Sequence, residues 1–230
     1  MVKDVVDELA GLSRFVGGDS GVLAAVQAAA KLRNFSAKQI IVGQDGADKD
    51  VFCLLKGQAR AVVYSSEGHE IWLDDFGPGD LFGEMAALTD MHRSADIVAA
   101  SNVAVAVFAA RDFITLMEEF GEFGLAVSRR LVERIRHTTQ RMFELSVLSA
   151  PGRVYAELLR AAEHGNLEGS EIREIRPVPQ ITELARRINS TRETVSRTIN
   201  DLERRGLVIR ERGAMTILAP KQLGALTYLE

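Results

Sequence analysis

Cysteine is almost missing from this chain: Cys53 is the only one in 230 residues. That excludes a disulfide framework, a cysteine-ligated iron–sulfur cluster and a Cys-rich zinc site. Cys53 lies inside the apolar run 51–55 and reads as a small buried hydrophobe. Histidine is sparse as well. His69, His92, His137 and His164 are scattered, and no closely spaced pair with a further carboxylate offers a metal site. Long apolar runs are lacking, and the amino terminus mixes Lys3 with Asp4, Asp7 and Glu8. Neither a signal peptide nor a membrane span is therefore expected, and a soluble, cytoplasmic protein is. Positive charge is in deficit, with a net charge of -4, which argues against nonspecific coating of nucleic acid.

What charge there is lies unevenly. Up to Ser149 there are 15 Lys or Arg against 21 Asp or Glu; beyond it there are 13 against 11, nearly all the cations being arginine. With a length sufficient for two modest domains, this shift favours an acidic amino-terminal part and a mildly basic carboxy-terminal part.

Between residues 34 and 108 the chain is a series of short apolar runs, 39–42, 51–55, 59–64, 70–76, 96–100 and 103–108. Turns are marked at Asp45-Gly46, Lys56-Gly57, Glu67-Gly68 and Gly77-Pro78-Gly79. Strands this short and regular predict a barrel or sandwich. Helical stretches at 2–12 and 22–32 are expected to pack on its outside.

Within that pattern stands a constellation suited to a cyclic phosphodiester: Gly83, Glu84 and Met85, then Arg93, Ser94 and Ala95. Glycine permits close backbone approach, a carboxylate accepts from a ribose hydroxyl, arginine grips two phosphate oxygens in a fork and serine donates a further bond. The apolar run 85–88 is long enough for one helical turn whose amides face an anion. The plainer alternative is a strand corner whose Glu84 and Arg93 pair on the surface.

After Asp112 the period changes. Ser128, Leu131, Ile135, Thr138, Met142 and Leu145 follow one another at three- and four-residue steps, with Arg129, Arg130, Glu133, Arg134, Arg136 and Arg141 between them. This predicts a long helix with a coiled-coil seam and so a parallel homodimer, or else a helix packed on its own barrel. Thr138 and Thr139 are polar at or beside the seam, as register-setting defects or as hydroxyls aimed at a ligand. Ser149-Ala150-Pro151-Gly152 reads as a breaker and domain boundary.

Beyond it come an amphipathic helix over 154–162, a polar loop at 164–170 and two helical patterns at 182–188 and 191–202. Only Asn189 and Ser190 separate the last two, which is helix-turn-helix spacing. The runs 207–210 and 215–218 around Gly213 form a hairpin. On the second helix Arg192, Glu193, Ser196 and Arg197 face away from Val195, Ile199 and Leu202. Arginine suits guanine O6 and N7, and glutamate a cytosine amino group, so this face is expected to read two G·C pairs. Thr191 and Thr194 suit phosphates. Alternatively, Ser190 and Glu193 form a capping box and the arginines are surface charge.

This order of parts resembles the CRP/FNR transcription regulators, in particular their cAMP-responsive branch, over essentially the full chain. The resemblance implies an α+β fold: a cyclic-nucleotide-binding β-roll of jelly-roll type with flanking helices (1–110), a dimerisation helix (111–148) and a winged helix-turn-helix domain (149–230). It implies cAMP as allosteric ligand, held by Gly83, Glu84, Met85, Arg93, Ser94, Ala95 and Arg134. Thr138 and Thr139 would face the adenine, one of them from the partner subunit. Arg192, Glu193 and Arg197 would read TGTGA half-sites in double-stranded DNA, beside Thr191, Thr194 and Ser196. RNA polymerase is the implied protein partner, with the loop at 164–170 one candidate contact, and no membrane, metal or catalytic residue is implied. Gln180 stands where the family's first helix more often starts on a hydroxyl. The same fold answering to cGMP or to no nucleotide stays open, because threonine hydroxyls both donate and accept. So do two other classes, a cyclic-nucleotide regulatory subunit and a cupin-type barrel enzyme. The helix-turn-helix disfavours the first; His69 and His92, 23 residues apart, disfavour the second.

Overall fold

Strands at 51–55 and 103–108 are buried on both faces, which explains their unbroken apolar runs, whereas 70–76 buries only Trp72 and Phe76. The structure, a computed structural model, describes residues 12–16, 20–68, 70–89, 91–162 and 171–228. The chain divides into two compact units, Met1–Ile135 and Arg136–Glu230, with the boundary inside one long helix.

In the first unit, helices α1 (Ser13–Val16) and α2 (Ser20–Ala29) lead into strands β1 (Lys31–Phe35), β2 (Ile40–Val42), β3 (Val51–Lys56), β4 (Ala59–Tyr64), β5 (Glu70–Phe76) and β6 (Leu81–Phe82). A single helical turn, α3 (Glu84–Leu88), is followed by β7 (Asp96–Ala99), β8 (Val103–Phe108) and α4 (Ala110–Glu119). The strands form two four-stranded antiparallel sheets, ordered β1-β8-β3-β6 and β2-β7-β4-β5. All six residues of β8 are buried. Val103, Val105 and Val107 join Phe52, Leu54, Phe76 and Phe82 in one core cluster, while Ala104, Ala106 and Phe108 join Val51, Cys53 and the helical residues Phe15, Val26, Phe113, Phe123 and Val127 in another. Side chains alternate sides along a strand, so a strand covered on both sides carries apolar residues at every position. Phe52 stacks on Phe82 with ring centroids 5.3 Å apart. This is the expected roll with outer helices.

Two boundaries differ from expectation. The helix read over 22–32 ends at Ala29, and Lys31–Phe35 pairs antiparallel with Val103–Phe108. Tertiary pairing onto a waiting strand overrides a local pattern in which Lys31, Leu32 and Arg33 are all good helix formers. Most of the helix read over 2–12 lies outside the described residues, although Leu12 is fully buried in the core.

Helix α5 (Gly121–Val147) has 27 residues. Phe123 and Val127 are buried in the roll core and Leu131 packs against it. Leu125, Val132, Ile135 and Met142 are exposed. Leu131 thus leaves the seam read from the sequence and Val132 takes its place, because two helical stripes run one residue apart and the roll covers the first. Leu125, Ser128, Val132, Ile135, Thr139 and Met142 continue the heptad on the open side. Thr138 and Thr139 are both exposed.

The second unit continues with α6 (Ala150–Ala161), β9 (Arg173–Ile175), α7 (Ile181–Arg187), α8 (Arg192–Arg204), β10 (Val208–Glu211), β11 (Ala214–Ile217) and α9 (Pro220–Leu226). The breaker read at 149–152 interrupts the helix for only two residues, Leu148 and Ser149. The Ser149 hydroxyl accepts from the Gly152 amide at 3.1 Å and Pro151 sits in the first turn of α6, where its missing N–H costs nothing. Helix α6 accordingly starts at Ala150 rather than near 154. Val195, Ile199 and Leu202 of α8 pack with Leu184, Ala185 and Ile188, under Val154, Tyr155 and Leu158 of α6. The expected hairpin is β10-β11, and β9 adds a third strand that its short, mixed-polarity sequence did not reveal.

Candidate functional site

Gly83 has φ of 83°, a left-handed value that glycine adopts freely. A β-carbon there would lie 2.7 Å from Arg93 Nη1 and 2.8 Å from the Asp50 carbonyl oxygen, so the absence of a side chain is what lets Arg93 reach this corner. Arg93 is 6% exposed. It donates from Nη1 to the Gly83 carbonyl at 2.8 Å, and from Nη2 to the Asp50 carbonyl at 2.9 Å and Asp48 Oδ1 at 2.6 Å.

Glu84, 1% exposed, opens the α3 turn. Its Oε1 accepts from Arg134 Nη1 at 2.8 Å. Arg134 also donates to the Leu81 carbonyl at 2.6 Å, lies 3.3 Å from Asp74 Oδ2 and stacks over Phe76 at 4.9 Å. Two buried polar atoms of this corner have no partner, Glu84 Oε2 and Arg93 Nε. Buried polar groups are nearly always satisfied, so such a pair needs an explanation. A group with a hydroxyl for the carboxylate and an anionic oxygen for the guanidinium supplies one. Ser94 is exposed, its hydroxyl 3.9 Å from the Met85 sulfur; Met85 is exposed and Ala95 buried.

The cassette read as contiguous is therefore held together in space. Gly83, Glu84, Arg93 and Arg134 gather at one corner of the roll, with Ser94 beside Met85. Sequence reasoning missed Asp48, Asp50, Asp74 and Leu81, which lie 43 to 60 residues from the arginines they meet; no local spacing carries such a relation, since strand pairing creates it. Cys53 is shielded: burial first, with the Asp80 charge adding, pushes its thiol up to about 12. His69, His164 and the loop 164–170 lie outside the described residues. Among the described residues no helix is long and apolar enough to cross a membrane.

In the second unit, α7 and α8 meet across a turn in which Asn189 takes a left-handed φ of 49°. Arg153 on α6 holds this turn, donating to the carbonyls of Leu148 and Ile188 at 3.0 Å. The cap of α8 is Thr191, whose hydroxyl accepts from the Thr194 amide at 3.1 Å and lies 2.9 Å from the Thr194 hydroxyl. The capping box read at Ser190 and Glu193 does not form: the cap falls one residue later, on Thr191, and is a single hydroxyl–amide bond. Gln180 stands at the start of α7, its amide donating to Glu183 Oε2 at 3.3 Å. Arg192, Glu193 and Arg197 are exposed on one side of α8, Thr194 and Ser196 are half-buried, and Arg197 pairs with Glu193 one turn away. Arg210 of β10 joins the strand to α8 by donating to Glu203 and Asn200. That bond holds the Glu203 carboxyl below the usual carboxylate range.

Two family models match the chain: a cyclic nucleotide-binding domain over residues 32–120 and a Crp-like helix-turn-helix domain over 152–226. Among curated proteins the chain is similar to the cAMP-activated global transcriptional regulator Vfr of Pseudomonas aeruginosa, at 26% identity covering 76% of this chain and 84% of that one. Among solved structures it resembles a CooA mutant from Carboxydothermus hydrogenoformans, with a TM-score of 0.77 at 23% identity over 90% of each chain. It also resembles the c-di-GMP responsive regulator CLP of Xanthomonas campestris, with a TM-score of 0.74 at 17% identity over 86% of this chain and 99% of that one. The matched domains and relatives are those of transcription regulators, not of enzymes.

Proposed function

Because the chain belongs to the CRP/FNR family of transcription regulators, we propose that it is a cytoplasmic, cAMP-responsive homodimer that binds double-stranded DNA at palindromic TGTGA-type sites. One observation carries the nucleotide reading: a buried carboxylate oxygen and a buried guanidinium nitrogen, Glu84 Oε2 and Arg93 Nε, stand without partners at the same glycine corner. Glu84 would take a ribose hydroxyl. Arg93 and Ser94 would hold the cyclic phosphate, and Gly83, Met85 and Ala95 would shape the site around it. Arg134 holds Glu84 in place. The base would meet Thr138 and Thr139, whose hydroxyls are exposed on α5.

The open heptad stripe on α5 supports the dimer, since a helix with Val132 and Ile135 exposed gains most by pairing with its own copy. Residues 1–110 would then sense, 111–148 dimerise and 149–230 bind DNA. A ligand held against the dimer helix biases how the two helices pack, and two recognition helices about 34 Å apart match successive major grooves. Arg192, Glu193 and Arg197 would read bases, with Thr191, Thr194 and Ser196 on phosphates. RNA polymerase is the expected protein partner.

Titration calorimetry of the full chain with cAMP and with cGMP, paired with gel shifts on a palindromic TGTGA duplex, tests this reading. Arg93→Leu should abolish nucleotide binding and nucleotide-dependent DNA binding together. DNA affinity that survives the substitution and ignores cAMP would reject the coupling. Tighter binding of cGMP would move the assignment to that ligand, and a duplex preference unrelated to TGTGA would reject the half-site.

A further inference from the structure

Arg93 cannot offer a phosphate its two-pronged grip while Asp48 stays where it is. A guanidinium carries five N–H donors, two of them on Nη2. A fork onto two anionic oxygens uses neighbouring nitrogens, either Nε with Nη2 or Nη1 with Nη2, so Nη2 belongs to both. Here both Nη2 hydrogens are committed, one to Asp48 Oδ1 at 2.6 Å and one to the Asp50 carbonyl at 2.9 Å. The Asp50 carbonyl is fixed backbone at the entry to β3, which pairs with both β6 and β8. The Asp48 carboxylate is different: it extends from the loop between β2 and β3 and its side chain is 62% exposed, whereas that of Arg93 is 3% exposed. Of the two acceptors only Asp48 can leave cheaply. Its departure would free one Nη2 hydrogen next to the unpartnered Nε, which completes a fork.

The geometry points to Asp48 as a built-in anionic competitor: its carboxylate holds the phosphate-binding edge of Arg93, and an anionic ligand must displace it to bind. The inference rests on the cyclic-phosphate reading of this corner and adds to it a residue that sets affinity. Asp48 lowers the occupancy of the site at a given nucleotide concentration, because each binding event exchanges one carboxylate–arginine bond for a phosphate–arginine bond. It also selects against weakly held anions, which do not offset the lost pair. Asp48 lies far from the motif in sequence, and nothing in the cassette spacing indicates it.

The test compares full-length wild type with Asp48→Asn and Asp48→Ala, and uses Glu119→Gln, an exposed carboxylate on α4, as the control for general charge. Calorimetric titration with cAMP should give about two- to fivefold tighter binding in both Asp48 variants, and binding equal to wild type in Glu119→Gln. Equal or weaker binding in Asp48→Asn would overturn the proposal and make Asp48 a brace that orients Arg93. If neither cAMP nor cGMP binds any of the proteins, the nucleotide reading fails on its own. Inorganic phosphate then decides the present point: a larger rise in Tm with phosphate for Asp48→Asn than for wild type upholds the competitor, and equal rises or none overturn it.

Discussion

Arg134 Nη1 donates to Glu84 Oε1 at 2.8 Å, and this bond fastens the middle of a 27-residue helix to the buried carboxylate at the roll's glycine corner. Glu84 has 2% of its side chain exposed, and Asp74 stands on the same guanidinium. Arg134→Leu strands the buried Glu84 carboxylate and should lower the stability of the roll by about 3 kcal/mol, the scale of breaking a buried pair. The double substitution Arg134→Leu with Glu84→Gln should recover part of that loss, because the stranded charge is gone. Urea unfolding of the four proteins measures it; additive losses would mean the pair is not coupled.

The helix seam predicts an oligomer that one charge can break. Val132 and Ile135 are 55% and 65% exposed and lie on the open stripe, away from Leu131, which packs on the roll. Ile135→Glu should shift the chain to a monomer in sedimentation at micromolar concentration while leaving its far-ultraviolet dichroism intact. Leu131→Glu should instead unfold the roll. A dimer surviving Ile135→Glu would place the interface elsewhere.

Arg192 is exposed at the start of α8, and no base-reading role is consistent with losing it at no cost. Arg192→Ala should weaken binding by about 1 to 3 kcal/mol at one G·C pair and relax preference there. Selection of bound duplexes from a random pool reads this directly. A uniform loss across all sequences would make Arg192 a phosphate contact instead.

Cys53 gives the protein an alkaline limit. Its thiol ionises at about 12 in the folded chain against an ordinary 9.0, so the neutral form is favoured by folding. Its contribution is complete below pH 9 and is lost as the pH rises toward 12, at about 1.4 kcal/mol per pH unit. Cys53→Ala should flatten the fall of unfolding free energy between pH 8 and pH 10.5. Consistent with burial, the native thiol should not react with a disulfide reagent at pH 8.

Much of this is legible in the sequence. The six apolar runs announce strands because a strand covered on both sides must be apolar throughout, and β8 is such a strand. The gap read at Asn189 and Ser190 gives away the helix-turn-helix because local turn chemistry fixes it, although the turn takes in Ile188 and Thr191 as well. Failures fell where tertiary contact overrode local preference: Lys31 to Phe35 became a strand by pairing with β8, and Leu131 left the seam because the roll covers it.

The sequence by itself determined the order of parts, the glycine-bounded strands, the long helix and the residue types at the phosphate corner, since each depends on neighbours a few positions away. Only the tertiary structure decided which groups share that corner. Asp48 on Arg93, and Arg134 between Glu84 and Asp74, join positions tens of residues apart. Strand pairing brings them together, and their charges then set how available each side chain is to a ligand.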